Sequence, residues 1–370
     1  MSLTAASPPP HGAPWPELMA DQAGMNWMWL EEAARFATEN ETPWPYDLRQ
    51  HLEGGFFEPA PFNEILGPIR PRGEPNGLVL RGGSKVVSWG DTQQVDFTFS
   101  AAKSYLSMLA GIAFMDGLIG DLDEPVRRTV DDGGFESSQN APVTWRHLLQ
   151  NTSEWEGTLF GKSDVIDRNR NLAVEGKGRK GDARPLHRPG EYWEYNDVRV
   201  NRLSLSLLRL FRRPLPEVFA ERIMQPIGAS SDWSWHGYRT SGVEIDGRTI
   251  ESVAGGTHWG GGMLIHAEDQ ARIGLLMLRR GEWNGKRILP EDWIAQSLRP
   301  CALKPVYGFL WWLNMGHGRY KSASENSFFA SGAGGNLTWV DPDRDLVAVM
   351  RWLDPTAADT FMRLIMQAME

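Results

Sequence analysis

The chain has a single cysteine, so an internal disulfide and any metal site built from several thiolates are excluded. Cys301 lies in Leu298-Arg299-Pro300-Cys301-Ala302-Leu303, a neighbourhood without a histidine to activate it, and reads as a bystander. Long apolar runs are missing too. No window approaches the roughly eighteen apolar residues of a membrane span, which points to a soluble protein and no membrane partner. Positive charge is in deficit: 38 Lys and Arg stand against 47 Asp and Glu, a formal net charge of -9, and no basic run interleaved with aromatics offsets it. A nucleic acid partner is therefore not expected. Met1 to Pro16 has no Lys or Arg and no apolar core of the kind a signal peptide needs, so the chain as written is expected in the cytoplasm. The periplasm stays open if Met1-Ser2-Leu3 replaces a removed leader. No Gly-x-x-x-x-Gly-Lys-Ser/Thr occurs, and no nucleotide cofactor is expected. Gly-x-Ser-x-Gly is absent as well, which disfavours an α/β-hydrolase. His258 and His317 lack a second ligand at metal spacing, so no metal site is expected.

What is present has a clear order. Residues 1–20, with Pro8-Pro9-Pro10, read as a flexible tail. Trp29, Leu30, Ala33, Phe36 and Ala37 recur at helical spacing. Leu78-Val79-Leu80 and Val86-Val87-Ser88-Trp89 flank Gly82-Gly83 as a hairpin. From Ser100 to Met115 the pattern is apolar all round, as in a helix buried within a domain. Signals between 125 and 245 are mostly helical, apart from a charged, glycine-rich loop from Gly161 to Gly190. Strand-like runs return at Tyr307–Leu313, Asn336–Val340 and Leu346–Trp352, before a last helix near Ala357–Ala368. Strands at both ends and helices between them predict a sheet domain from 21–96 and 247–370, with a helical domain inserted at 97–246.

Three short segments can carry chemistry. Ser100-Ala101-Ala102-Lys103 opens the buried helix, and residues three apart on a helix share a face, which brings the Lys amine within reach of the Ser hydroxyl. The helix N-terminus also favours negative charge developing on an attacked carbonyl. By itself the pattern is also what an N-cap serine followed by a solvated lysine looks like, but a Lys facing an apolar, Ala-rich helix start is costly without partners. Pro189-Gly190 and Tyr195-Asn196-Asp197 precede a helix near Val198, where Asp197 alternatively serves as the N-cap. Ala330-Ser331-Gly332-Ala333 enters the strand Asn336–Val340, as a tight turn or as a place where a substrate comes close to an edge strand.

In this order and context the three segments resemble the penicillin-recognising serine hydrolases, in particular the class C β-lactamase-like branch with its esterases, D-aminopeptidases and aminohexanoate-oligomer hydrolases. Ser100-x-x-Lys103 matches the first motif, Tyr195-Asn196-Asp197 stands where the family has Tyr-x-Asn, and Ser331-Gly332 where it has Lys-Thr-Gly or His-Thr-Gly. Asp116-Gly117-Leu118-Ile119-Gly120, Thr144-Trp145-Arg146-His147-Leu148-Leu149 and Gly260-Gly261-Gly262-Met263 extend the similarity from about residue 75 to the C-terminus. The resemblance implies an α/β (α+β) fold, an antiparallel sheet flanked by helices with an inserted mostly helical domain. It also implies an acyl-enzyme on Ser100, proton transfer by Lys103 and Tyr195, an oxyanion hole from the N–H groups of Ser100 and Ala333, no cofactor, and a small-molecule ester or amide substrate. Two departures stand out. Asp197 replaces the family's Asn, and a carboxylate there favours a charged Lys103 and moves base duty toward Tyr195. Ala330 replaces a Lys or His that helps hold a substrate carboxylate, which argues for esterase or amidase chemistry over a true β-lactamase or D,D-peptidase. An acyltransferase and a catalytically silent binding protein remain as alternatives.

Overall fold

A computed structural model describes residues 8–9, 13–170 and 179–370. Its main sheet has six antiparallel strands, in the order Trp312–Leu313, Phe328–Gly332, Asn336–Asp341, Leu346–Arg351, Asn76–Arg81 and Ser84–Trp89. Both ends of the chain supply it. Every residue of Leu346–Arg351 is buried, which needs cover on both faces and explains its unbroken apolar run, Leu346 to Met350. The helix Ala267–Leu278 packs over the central strands, and Gly274 permits the approach, since a Cβ there would lie 2.7 Å from Val347 Cγ1. The helices Trp27–Glu39 and Ala358–Gln367 pack together near Ser84–Trp89, where Phe361 meets Trp89. The antiparallel sheet flanked by helices is the architecture the sequence led to.

A second sheet, in the order Asp96–Phe97, Gly262–Ile265, Ser234–Ile245 and Arg248–Val253, departs from the sequence reading, which found mainly helical signals up to 245. The turn of its long hairpin is Asp246-Gly247, both with left-handed backbone (φ 52 and 73), the conformation a two-residue type I′ turn requires. The alternation that would have marked the strand is broken by a register shift between Gly237 and Gly242. Strand structure within Tyr307–Leu313 is confined to Trp312–Leu313, with Tyr307 contributing only a bridge to Trp312.

The stretch read as a tail behaves differently over residues 13–20. Trp15 is buried beneath the Arg272 guanidinium, 5.0 Å from its ring, and Leu18 N–H donates to Lys85 O at 3.0 Å along the sheet edge. An aromatic side chain with a cation to cover it outweighs the local wealth of proline. Residues 1–7 and 10–12 of that stretch, and 171–178 of the loop Gly161–Gly190, lie outside the described residues.

The helix Ala102–Met115 is buried from Ala102 to Ala113 and follows a 3₁₀ turn, Phe99–Ala101. Arg351 ties the two sheets together just ahead of that turn. From the main sheet its Nε donates to Asn336 Oδ1 (2.7 Å), Nη1 to Ile265 O (2.8 Å) and Nη2 to Phe97 O (3.0 Å). Arg351→Met would remove three charge-assisted hydrogen bonds to buried acceptors, each worth about 1.5–3 kcal/mol. Urea unfolding should therefore show a loss of at least about 3 kcal/mol, and a loss below about 1 kcal/mol would remove Arg351 as the tie between the sheets.

Candidate active site

Ser100 sits at the centre of the 3₁₀ turn, half-buried, directly after Phe99, whose φ of 50 is unusual for a residue with a Cβ. Such strain persists only where the surroundings impose it, and it tends to gather at functional turns. The surroundings are close here. Thr98 N–H donates to Met263 O at 2.9 Å, and Gly332 lies so near that a Cβ on it would run into the Thr98 carbonyl oxygen. Only glycine lets the strand Phe328–Gly332 reach the turn that carries Ser100, and this contact brings Ser331, Gly332 and Ala333 to Ser100. Ala330 is buried, whereas Ser331 Oγ accepts a 2.8 Å hydrogen bond from Arg319 Nη2. The Arg319 guanidinium lies over the Trp312 ring, its Cζ 4.3 Å from the centroid.

One helical turn on, Lys103 is 1% exposed. Its Nζ donates to Ser100 Oγ at 2.8 Å and to Gly255 O at 3.2 Å, and it forms an ion pair with Asp197 Oδ1. Asn201 Oδ1 holds the Gly255 N–H at 2.9 Å, and Gly256 forms the floor, because a Cβ there would lie 3.0 Å from Lys103 Nζ and 3.5 Å from Ser100 Oγ. Tyr195 is buried with its ring 5.0 Å from both Lys103 Nζ and Arg170 Cζ, stacked on Trp312 at 5.7 Å.

The helix Asp197–Phe211 is capped by Asn196, whose Oδ1 accepts from the N–H groups of Val198 (3.1 Å) and Arg199 (3.2 Å). Asp197 is thus not the cap, and its carboxylate is free to turn inward. Its Oδ2 accepts from Arg170 Nη1 at 2.7 Å and lies 2.7 Å from His258 Nδ1, and its N–H donates to Asp167 Oδ2 at 2.7 Å. Burial pushes the Asp197 carboxyl upward, but the charges of Lys103, Arg170 and His258 outweigh it and hold the group well below the usual carboxylate range. Glu58, Asp167 and His258 converge within 4.8 Å, a grouping that could hold a metal ion. The Lys180 ammonium already sits between the two carboxylates, 2.5 Å from Glu58 and 3.1 Å from Asp167.

The model of the Beta-lactamase family matches residues 79–357, more than half the chain. The chain belongs to the Beta-lactamase family. Solved structures of similar fold include a Bacillus anthracis protein assigned as a 6-aminohexanoate-dimer hydrolase (16% identity, 98% of this chain and 89% of that one, TM-score 0.60). A family VIII carboxylesterase (16%, 91% and 96%, 0.57) and simvastatin synthase from Aspergillus terreus (16%, 91% and 97%, 0.58) are further examples. At such identities the likeness establishes the fold alone. Among curated proteins none matches.

For a Beta-lactamase family chain, sequence reasoning found Ser100, Lys103, Tyr195 and Asp197, which the fold gathers around one point, and Ser331, Gly332 and Ala333, which it places beside them. It missed Arg319, Arg170, Gly255 and Gly256, and it treated His258 only as a failed metal ligand. Arg319 and Arg170 come from irregular segments with no motif. Gly255-Gly256 was the one legible signal, a glycine pair just before the return into a sheet.

The depressed Asp197 carboxyl makes a testable contribution to stability. A carboxyl with a lowered folded-state pKa stabilises the fold above its unfolded value of about 3.9, and that stabilisation is lost as pH falls through the folded value. Asp197→Asn should therefore be less stable at pH 7, with the gap to the unmodified protein narrowing as pH falls below about 4 in urea titrations. A gap independent of pH would mean that the carboxylate charge is not what holds the cluster.

Proposed function

We propose that the protein is a serine hydrolase that cleaves an ester or amide through an acyl-enzyme on Ser100. The observation that carries this reading is the 2.8 Å contact from Lys103 Nζ to Ser100 Oγ inside a buried cluster completed by Asp197. Paired with Asp197, Lys103 Nζ stands as a donor to Ser100 Oγ, and base duty falls to Tyr195. Two cations, Lys103 Nζ and the Arg170 guanidinium, flank its ring, each 5.0 Å from the centroid. Ser100 Oγ bonds to the substrate carbonyl carbon while its proton passes to the Tyr195 oxygen. The carbonyl oxygen gains negative charge at the N–H groups of Ser100 and Ala333, where losing one donor typically costs about 10²–10³ in rate. The tetrahedral centre then collapses, its bond to the leaving group breaks, and Tyr195 returns the proton to that group. Water repeats the sequence to release the acid, and an alcohol or amine in its place would make the reaction an acyl transfer.

Arg319 bears on the substrate. Ala330 removes the cation that the family's third motif carries, yet the Arg319 guanidinium reaches Ser331 from another segment and offers a charged donor at that edge. This favours a second reading, in which substrates with an anionic group on that side, β-lactams included, are also turned over.

Intact-mass analysis after a fluorophosphonate should show one adduct, absent in Ser100→Ala, and labelling that survives the substitution would place the nucleophile elsewhere. In Arg319→Ala, kcat/KM should fall about tenfold or more for a carboxylate-bearing ester, corresponding to about 1.4 kcal/mol, and change little for a neutral one. Equal losses on both esters would remove Arg319 from substrate selection.

A further inference from the structure

Two sets of aromatic side chains approach Ser100, and among the described residues no aromatic contact joins them. One holds Tyr195, Trp193, Tyr307 and Trp312, with Arg319 against Trp312. The other comes from the segment 44–57, before the region matched by the family model. Trp44 meets Phe99, the residue preceding Ser100, edge-on at 5.2 Å and Phe56 at 4.7 Å. Phe57 meets Phe56 at 4.9 Å and the His258 ring at 4.1 Å. Trp44 also reaches the turn that follows Ala333, since a Cβ on Gly334 would lie 3.2 Å from Trp44 Cε3, and Ala333 packs against the same cluster. This second set is not sealed: Phe56 is 49% exposed, and Trp44 and Phe57 are half-buried. Phe57 further lines a cavity of about 710 Å³ with Pro59, Phe62, Val165 and Ile166, in which Glu58 and Lys180 are paired with each other.

We propose that Trp44, Phe56 and Phe57 form the wall of a subsite that selects substrates with an apolar, preferably aromatic, acyl group. The inference rests on the serine-hydrolase reading and deepens it. Tyr195 returns its proton to the leaving group, so the leaving group lies on the Tyr195, Trp312 and Arg319 side. The acyl group, the other substituent on the attacked carbonyl carbon, is left to the opposite wall, which touches the residue before Ser100 and the turn after Ala333. Three aromatic rings in edge contact offer that group a large apolar surface at little conformational cost.

The test uses p-nitrophenyl acetate, hexanoate and phenylacetate, which share one leaving group. The unmodified protein should prefer phenylacetate over acetate in kcat/KM by about tenfold or more, the scale of apolar-pocket discrimination. Trp44→Ala and the exposed Phe56→Ala should each reduce that preference several-fold while acetate turnover stays within about threefold, and Trp44→Phe should restore it. Phe56→Ala keeps the test informative if Trp44→Ala fails to fold. Absence of acyl preference in the unmodified protein, or equal losses on all three esters, overturns the subsite while leaving Ser100-dependent acetate turnover intact. Absence of Ser100-dependent turnover of any ester overturns the hydrolase reading and the subsite with it.

Discussion

Lys103 stands one residue into a helix buried for twelve residues and mostly apolar, so its ammonium must find acceptors there or give up its proton. Much of the molecule around Ser100 answers that requirement. Asp197 supplies the counter-charge, Gly255 a carbonyl and Ser100 a hydroxyl. Each of these needs support of its own. Asn196 takes over the helix cap and frees Asp197, Asn201 holds the Gly255 N–H, and Arg170 and His258 occupy the other carboxylate oxygen. Arg199, itself buried, ties the same helix to Glu154 (2.7 Å) and Glu194 (3.1 Å). Breaking one partner of such a group costs far more than an exposed ion pair is worth, because the remaining charge is left without water.

The second constraint is distance. Segments near residues 100, 197 and 331 meet because two sheets converge on one turn. Thr98 bonds to the second sheet, Gly332 brings in a strand of the first, and Arg351 ties the first to Ile265 and Phe97 of the second. The strained backbone at Phe99 is the local consequence of packing a turn into that junction.

The sequence carried the parts of this arrangement that depend on periodicity and on local spacing. Trp27–Glu39 was readable because Trp29, Leu30, Ala33, Phe36 and Ala37 recur at helical intervals, and the buried helix after Ser100 because its run is apolar all round. Lys103 could be placed beside Ser100 because a helix fixes what lies three residues away. The hairpin Ser234–Val253 was not found, although Asp246-Gly247 announces its turn, because the shift between Gly237 and Gly242 interrupts the period of two. Local reasoning also left Asp197 between two roles, and only the observed bonds of Asn196 decide it. Arg319, Arg170 and Trp44 lie outside regular periodicity altogether. Their positions follow from how loops cross the finished sheets, information that no window of sequence contains.

In the proposed reaction this junction serves covalent chemistry at Ser100, with the developing negative charge met by backbone N–H groups. The crystal structure of the protein after reaction with a fluorophosphonate tests it most directly. Phosphorus should be bonded to Ser100 Oγ, with its free oxygen about 2.7–3.1 Å from the nitrogens of both Ser100 and Ala333. An adduct on another residue, or an oxygen turned away from both nitrogens, would contradict it.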